Sequence, residues 1–393
     1  MSHGRVTHGD DASDRRRWEE FGPAELTRLA GQRPEKLYEA AERLCREASG
    51  GRSGGTSVAR TVGRIAEALA GTRSRDCAVY AVDIVSRLLP LEAAAREEGD
   101  RLRRSVAARL VKAQPPRNLE PLFEELPDDI HDPAAETRAC LLGELALTGS
   151  GTGRSRPDAY AERLRELGHP LARLPRTRLD IEHRFMVRVR GLGPVRTPQQ
   201  LRSRFPEVPP TGSGAVAGRG AVGAPDDERG KAAAGPFTAG GWEREPEARF
   251  FALPGPLGPD DFGISFIEEL PLDCLAGGGG HRGEALACAT TPDDVLNELF
   301  SAAYIGGVNG RGQGGAYARL YAWESLYALM GLSVDTPFLE AVRSTADHRW
   351  VRFMAFTDWF HHDTADVAFA VLDPTRRRVA VLAATDTDRD VLG

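Results

Sequence analysis

The residues with the clearest potential for chemistry lie in a glycine-rich stretch, Tyr304-Ile305-Gly306-Gly307-Val308-Asn309-Gly310-Arg311-Gly312-Gln313-Gly314-Gly315-Ala316-Tyr317. A turn of this kind can present backbone N–H groups at the start of the following helix, with Arg311 as a contact for an anion. If a small anion or a nucleotide binds there, the residues expected to contact it are Arg311, Gly312, Gln313, Gly314, Tyr317 and Arg319.

The same glycine stretch (residues 306–315) also has a structural interpretation, which we favour. It follows a predicted helix rather than a strand and lacks the lysine of a phosphate-binding loop, so it departs from the nucleotide-binding fingerprints. Glycine permits a tight turn and the close packing of two helices. The stretch is therefore predicted to form a tight turn that lets two helices pack closely, with a ligand pocket as the alternative.

A second candidate is a polar cluster between two predicted strands, formed by Asp358, His361, His362 and Asp363. Histidine and carboxylate groups are good metal ligands. Neighbouring histidines usually point in different directions, however, and the sequence contains no second histidine motif at ligand spacing. We expect a solvated loop and no bound metal; His361 and His362 would be the first ligands to test otherwise.

The remaining reactive side chains give no catalytic motif. The five cysteines are odd in number and widely spaced, which suits free or buried thiols in a reducing cytoplasm better than disulfides or a zinc site. No Ser, Cys or Asp lies in a recognisable nucleophile motif. The alternating aspartates of residues 385–390 lack the glycine and the distal glutamate of a calcium loop, and predict a charged terminus. No catalytic residue and no cofactor is predicted.

The elements that must position these residues differ between the two halves of the chain. After a polar tail (1–20), residues 21–205 predict an α-helical array, either an irregular bundle or a paired-helix solenoid. Val58, Val62, Ile65 and Leu69, for example, repeat at the spacing of one helical face. Short helices with one apolar face must stack on each other to bury it.

Residues 206–241 differ from both flanking regions in composition. They are rich in Pro, Gly and Ala, carry a charged cluster at 226–229, and offer almost nothing bulky to bury apart from Phe237. Such a segment cannot repay its conformational entropy by burying apolar surface. It is predicted to be a flexible linker or an insertion.

Residues 242–393 predict an α+β module with a small, mainly antiparallel sheet. Residues 262–270, 350–357, 367–372 and 379–384 are rich in β-branched and aromatic residues, as strands are. The last two flank an Asp373-Pro374 turn and should form a hairpin. Helices are predicted to begin after Thr291, to end before Gly331, and to begin again near Pro337.

Charge and hydropathy exclude several classes of partner. The chain of 393 residues carries 51 Lys and Arg and 57 Asp and Glu, a net charge of −6, but residues 246–393 alone hold 11 Arg against 21 acidic residues. Such a module repels phosphate backbones, so nucleic acid is not expected there. No apolar stretch is long enough to span a membrane, and the polar N-terminus lacks the core of a signal peptide. We expect a cytoplasmic protein with no membrane partner.

Several segments carry a resemblance to a known family. They are residues 297–300, the pair Gly306-Gly307, residues 311–319, Trp323, Asp358-Trp359-Phe360 and residues 381–388. Over about residues 290–390 the chain resembles an uncharacterised actinobacterial family classed under a domain of unknown function. The resemblance implies no activity and no cofactor.

Two functional hypotheses follow. The first is a non-enzymatic protein that binds another protein, with the acidic module covering a basic partner as an immunity protein or an antitoxin does. The second is an enzyme or small-ligand-binding protein whose pocket lies at the glycine stretch. We favour the first.

Overall fold

The fold is taken from a computed structural model, which describes residues 18, 20–49, 55–88, 96–150, 153, 155–185, 197–204, 218, 220–258, 260–276, 285–308, 310, 312–362 and 365–387. The chain divides into two compact units, Met1–Thr177 and Arg178–Gly393. Each unit has its own core.

The first unit is helical, as the sequence predicts. Its α-helices are α1 (Pro23–Gln32), α2 (Pro34–Ser49), α3 (Gly55–Ala70), α4 (Arg75–Asp83), α5 (Arg96–Ala113), α6 (Pro116–Leu119), α7 (Pro133–Leu147) and α8 (Ser155–Glu166). A π-helical turn, Ile84–Leu88, continues α4. The apolar stripe of α3 is buried, with Val62, Ile65 and Leu69 fully excluded from solvent. Helix α3 packs against α1, α2, α4 and α5, which explains why its stripe is so completely apolar.

The second unit contains a six-stranded sheet in which every described pair is antiparallel. Its strands are β1 (Val222–Gly223), β2 (Glu247–Ala252), β3 (Ala285–Ala289), β4 (Arg349–Ala355), β5 (Ala365–Leu372) and β6 (Arg378–Asp386). The strand order across the sheet is β1-β2-β6-β5-β4-β3. The predicted hairpin is confirmed as β5 and β6. Its turn is held by the Asp373 carboxylate, which accepts hydrogen bonds from the backbone N–H groups of Arg377 and Arg378 at 2.9 Å.

The helices of this unit are α9 (Pro198–Arg204), α10 (Asp227–Ala239), α11 (Ile264–Ile267), α12 (Pro292–Ile305), α13 (Gly314–Met330) and α14 (Phe338–Thr345). The predicted helix ends are confirmed: Thr291 caps α12 by accepting from the N–H of Asp294, and Gly331 ends α13 in the left-handed conformation. Helices α10 and α13 pack on one face of the sheet. Side chains from residues 253–275 form a core with the other face. Both faces are therefore covered, and the unit is α+β.

One predicted strand is wrong. Residues 262–270 contain the short helix α11 followed by a turn at residues 268–269, not a strand. The buried residues Phe262, Phe266, Ile267 and Leu270 recur at intervals of four, one and three, which is a helical rather than an alternating pattern. Strands β1, β2 and β3 carry weak signals; β3 in particular is rich in alanine, which strands disfavour.

Part of the predicted linker is folded. Residues 220–241 belong to the second unit and contain β1 and α10, whereas residues 206–217 and 219 lie outside the described residues. The Asp226 side chain caps α10 by accepting from the N–H of Arg229. Ala233 and Phe237 are fully buried, and the Phe237 ring lies edge-on to Trp242 at 4.8 Å. The small residues of this segment permit close helix packing, which is why it folds despite its composition.

The buried position of Phe237 gives a direct test of this correction. Replacing Phe237 by Ala should lower the free energy of unfolding by about 3–5 kcal/mol, because a buried aromatic side chain is lost and a cavity remains. Chemical denaturation of the full chain measures the change, and Thr238→Ala, at the exposed neighbouring position, is the control. Equal stability of the two variants would restore the flexible-linker interpretation.

Candidate functional site

The glycine stretch is packed against the C-terminal end of α10 with almost no clearance. The N–H of Gly307 donates to the carbonyl oxygen of Gly240 at 2.9 Å. A Cβ atom at Gly310 would lie 2.1 Å from that same oxygen, and one at Gly312 would lie 1.9 Å from the carbonyl oxygen of Tyr304. Gly314, where α13 begins, has a φ of +73°. These glycines are required by the close approach of backbones and, at Gly314, by conformation.

A buried carboxylate holds this connection to the sheet. Asp386, at the end of β6, is fully buried, and its two oxygens accept hydrogen bonds from the N–H groups of Val308 and Glu243. A Cβ at Gly307 would lie 2.3 Å from Asp386 Oδ2. The sequence predicts a charged terminus at 385–390, but Asp386 is a core residue because backbone donors satisfy its charge. Residues 388–390 lie outside the described residues.

Arg319, one of the predicted ligand contacts, is fully buried and paired within the core. Its Nε and Nη2 atoms donate to Oε1 and Oε2 of Glu182 at 2.7 and 2.9 Å. Trp323 Nε1 donates to the same carboxylate at 2.6 Å, and the N–H of Leu179 donates at 2.8 Å. The guanidinium therefore faces a satisfied carboxylate and not an open pocket.

The other predicted ligand contacts that the structure describes bind or pack within the protein. Gln313 donates its side-chain amide to the carbonyl oxygen of Ala239, at the end of α10. Tyr317 is half-buried on α13, with its ring 6.0 Å from that of Tyr321. Arg311 lies outside the described residues. Gly312 and Gly314 serve the turn itself, so the described contacts favour the structural interpretation of the stretch.

The polar cluster is a connection between β4 and β5. Asp358 is exposed, and Asp363 lies outside the described residues. His361 donates its backbone N–H to Thr385 Oγ1 at 3.0 Å. The His362 ring stacks on Phe356 with centroids 4.9 Å apart, and burial lowers the pKa of this histidine. Within the described residues, no three His, Cys, Asp or Glu side chains are placed to hold a metal ion.

The strand β6 brings both sequence-predicted regions to one end of the sheet. Thr385 and Asp386 are consecutive, so their side chains point to opposite faces. Thr385 accepts from His361 and donates to Asp366 Oδ1 at 2.6 Å, whereas Asp386 binds the glycine stretch. One strand end therefore anchors the polar loop on one face and the glycine stretch on the other.

A groove of about 840 Å³ lies between α10 and β2 in this unit. Small residues of α10 form one wall, and Phe250, Phe251 and Tyr321 contribute aromatic surface. Its rim carries Asp226, Asp227, Lys231, Glu245 and Arg249. A volume in this range is typical of ligand-binding clefts.

The second wall of this groove is a partly open sheet edge. Strand β1 pairs only with Phe251 and Ala252, and the N–H of Ala224 donates to the carbonyl oxygen of Phe250 at 2.8 Å. The N–H of Leu253 points to β6, so the alternation of an antiparallel ladder turns the N–H and C=O of Ala248 away from β6. Ala248 lines the groove and has no strand neighbour on this side among the described residues.

Comparison with known proteins identifies the family. Residues 24–388 match the family described as "Family of unknown function (DUF6183)". The chain belongs to this family. The match extends the resemblance at 290–390 across both units of the DUF6183 chain. No curated protein and no solved structure matches this chain.

The thiols of this DUF6183 chain are poorly suited to nucleophilic chemistry. Cys45, Cys77, Cys140 and Cys274 are buried and Cys288 is half-buried, and none of the five forms a disulfide. Burial raises the pKa of every one of them, to about 11 for Cys45. Thiols with raised pKa values are protonated near neutral pH and react slowly.

Two features of the DUF6183 chain are not predicted from its sequence, namely the partner of Arg319 and the groove. Glu182 lies 137 residues before Arg319, and nothing local marks the two as partners. The groove wall does carry a signal, because Gly230 and Ala234 are four residues apart and share one helical face, with Gly235 next to Ala234, but their composition also fits a linker. Within the described residues, no helix combines the length and apolar character needed to cross a bilayer.

The close approach of the Tyr304 carbonyl oxygen to Gly312 predicts that a side chain at position 312 destabilises the protein. Gly312→Ala should lower the free energy of unfolding by about 1–3 kcal/mol, because the new methyl group meets the carbonyl oxygen of Tyr304. Gly230→Ala is the matched control: no atom lies within 4 Å of its added Cβ, and an alanine in a helix is favoured by about 1 kcal/mol over glycine. Urea denaturation compares them; a Gly312→Ala protein of unchanged stability contradicts the packing argument.

The buried ion pair gives a second prediction. Glu182→Gln should lower the free energy of unfolding by about 3–5 kcal/mol, since it leaves the Arg319 charge buried without a carboxylate. The control is Arg184→Ala, which removes exposed ion pairs to Asp293 and Asp294 and should cost less than about 1 kcal/mol. If thermal and chemical unfolding show no difference between the two variants, Glu182 does not carry this role.

Proposed function

We propose that this protein is a protein-binding module whose groove between α10 and β2 takes an extended segment of a partner chain. The observation that carries the proposal is the edge of β2 at Ala248, a groove residue whose backbone N–H and C=O point away from β6, on the side where no described strand pairs with it. An extended segment can add to such an edge through main-chain hydrogen bonds, with side-chain pockets giving specificity. No catalytic step is part of the proposal.

The shape of the groove supports an extended chain as its occupant. Gly230, Ala234 and Gly235 keep the wall of α10 low, so a backbone can approach closely. The helix has 13 residues and so lines the groove for about 20 Å, the length of about six extended residues. Tyr321 supplies aromatic surface for apolar side chains of the occupant.

The glycine stretch is a weaker candidate for a ligand site. The N–H of Gly307 and the amide of Gln313 are used on carbonyl oxygens of the α10 end, and Arg319 is paired with Glu182. These contacts support a role of the stretch in positioning α10. An immunity-like or antitoxin-like role, in which this protein covers its partner, is one form of the proposal. A cytoplasmic location is also proposed, since five thiols that form no disulfide suit a reducing compartment.

Filling the groove tests the proposal. Peptides are selected from a random seven-residue phage library on the immobilised full chain, and their affinities are then measured by fluorescence anisotropy. Gly235→Met should weaken them at least tenfold, because the added Cβ has room, 3.8 Å from Tyr321, and the longer side chain occupies the groove. Gly31→Met, in α1 of the other unit with no atom within 4 Å, is the matched helical-glycine control and should bind as the native chain does.

Two further readouts decide between occupants. Binding should slow hydrogen exchange at the amide of Ala248, as edge pairing requires. The proposal fails if no peptide is selected, or if Gly235→Met binds the selected peptides as tightly as Gly31→Met. A concentration-dependent dimer that Gly235→Met dissociates would assign the groove to a second copy of this chain and overturn the proposal.

A further inference from the structure

We infer that the partner segment is basic, with two cationic side chains about six residues apart; this inference rests on the proposed function. It begins with two exposed carboxylates on the rim of the groove, Asp227 and Glu245. Neither makes a hydrogen bond or an ion pair with another described residue. They are the rim charges most available to an occupant.

The other charged residues of the rim are engaged within the protein. Asp226 caps α10 through its side chain. Lys231 lies 3.1 Å from Glu228, and Arg249 lies 3.1 Å from Asp273. Arg249 also lies 3.4 Å from Glu247, whose carboxylate binds the N–H groups of residues 273 and 274. The balance of charge offered to an occupant is therefore negative.

The two carboxylates mark opposite ends of the groove. Asp227 is the first residue of α10, and Glu245 lies in the connection that leads from the end of α10 into β2. The helix between these ends rises by about 18 Å. In an extended chain, side chains six positions apart lie on the same face and about 20 Å apart. A Lys or Arg at each end of a seven-residue segment thus matches both carboxylates.

The charge of the whole unit acts in the same direction. Residues 178–393 hold 22 Lys and Arg against 29 Asp and Glu, a net charge of −7, whereas residues 1–177 are nearly neutral. A negative unit attracts a basic segment before contact and speeds association. The attraction should weaken as salt rises, because surface charges are screened.

Synthetic peptides test the inference directly. The probe is fluorescein-labelled Lys-Val-Ser-Val-Ser-Val-Lys, and the comparison peptide carries Glu at both ends. Fluorescence anisotropy with the full chain should show tighter binding of the lysine peptide by at least tenfold. Asp227→Asn and Glu245→Gln should each weaken it by about threefold to fivefold, as rim charges do, and together by about tenfold. Glu340→Gln, at an exposed position of α14 outside the groove lining, should leave it unchanged.

The outcomes separate this inference from the proposed function. If library-selected peptides bind and Gly235→Met blocks them, while the lysine peptide fails to bind or Asp227→Asn with Glu245→Gln has no effect, the basic partner is wrong and the groove function stands. If no peptide of any kind binds, both fall. A lysine peptide that binds equally to Gly235→Met is held elsewhere on the acidic surface, which also overturns the inference.

Discussion

The meeting of the α10 end with the α12–α13 connection is the constraint on which the helical layer of the second unit depends. Backbone lies against backbone there, and added Cβ atoms at Gly307, Gly310 and Gly312 would fall 1.9–2.3 Å from oxygen atoms. Asp386 adds a fully buried carboxylate that binds two backbone donors at the same place. The glycines therefore set how closely α10 sits to its neighbours, and α10 is the wall of the groove.

The ion pair between Glu182 and Arg319, like Asp386, places buried charge in the core of this unit. Burying two ions costs several kcal/mol each unless geometry and extra hydrogen bonds compensate. Here the guanidinium meets the carboxylate through two parallel bonds, and Trp323 and the backbone of Leu179 supply the remaining donors. The pair ties the segment at the start of this unit to α13. Because its guanidinium binds Glu182, Arg319 does not serve as a ligand contact near the glycine stretch.

The open part of β2 is the point at which fold and proposed function meet. Exposed strand edges invite pairing, and proteins usually cover or blunt them. In this protein, β1 covers one end of β2, while Glu247 and Arg249 place charge near the other. Ala248 lies between these protected positions, and its backbone N–H and C=O point away from β6. An edge restricted to so short a length favours a short extended segment over a broad sheet-to-sheet contact.

The sequence by itself determined the features that depend on local pattern. The stripe of α3, the cap at Thr291, the stop at Gly331 and the β5–β6 hairpin all follow from spacing and turn residues. Their physical cause lies within a few residues of chain, so a local pattern is sufficient.

Only the tertiary structure decided the partner of Arg319, the burial of Asp386, and the folding of residues 220–241 around Phe237. Each depends on groups that are distant in sequence, and composition alone gave the opposite expectation for the last two. The composition of a segment rich in small residues predicts flexibility, because it does not show the surface against which the segment packs. Burial and charge compensation are decided between elements, and this is why the groove appears only in the folded chain.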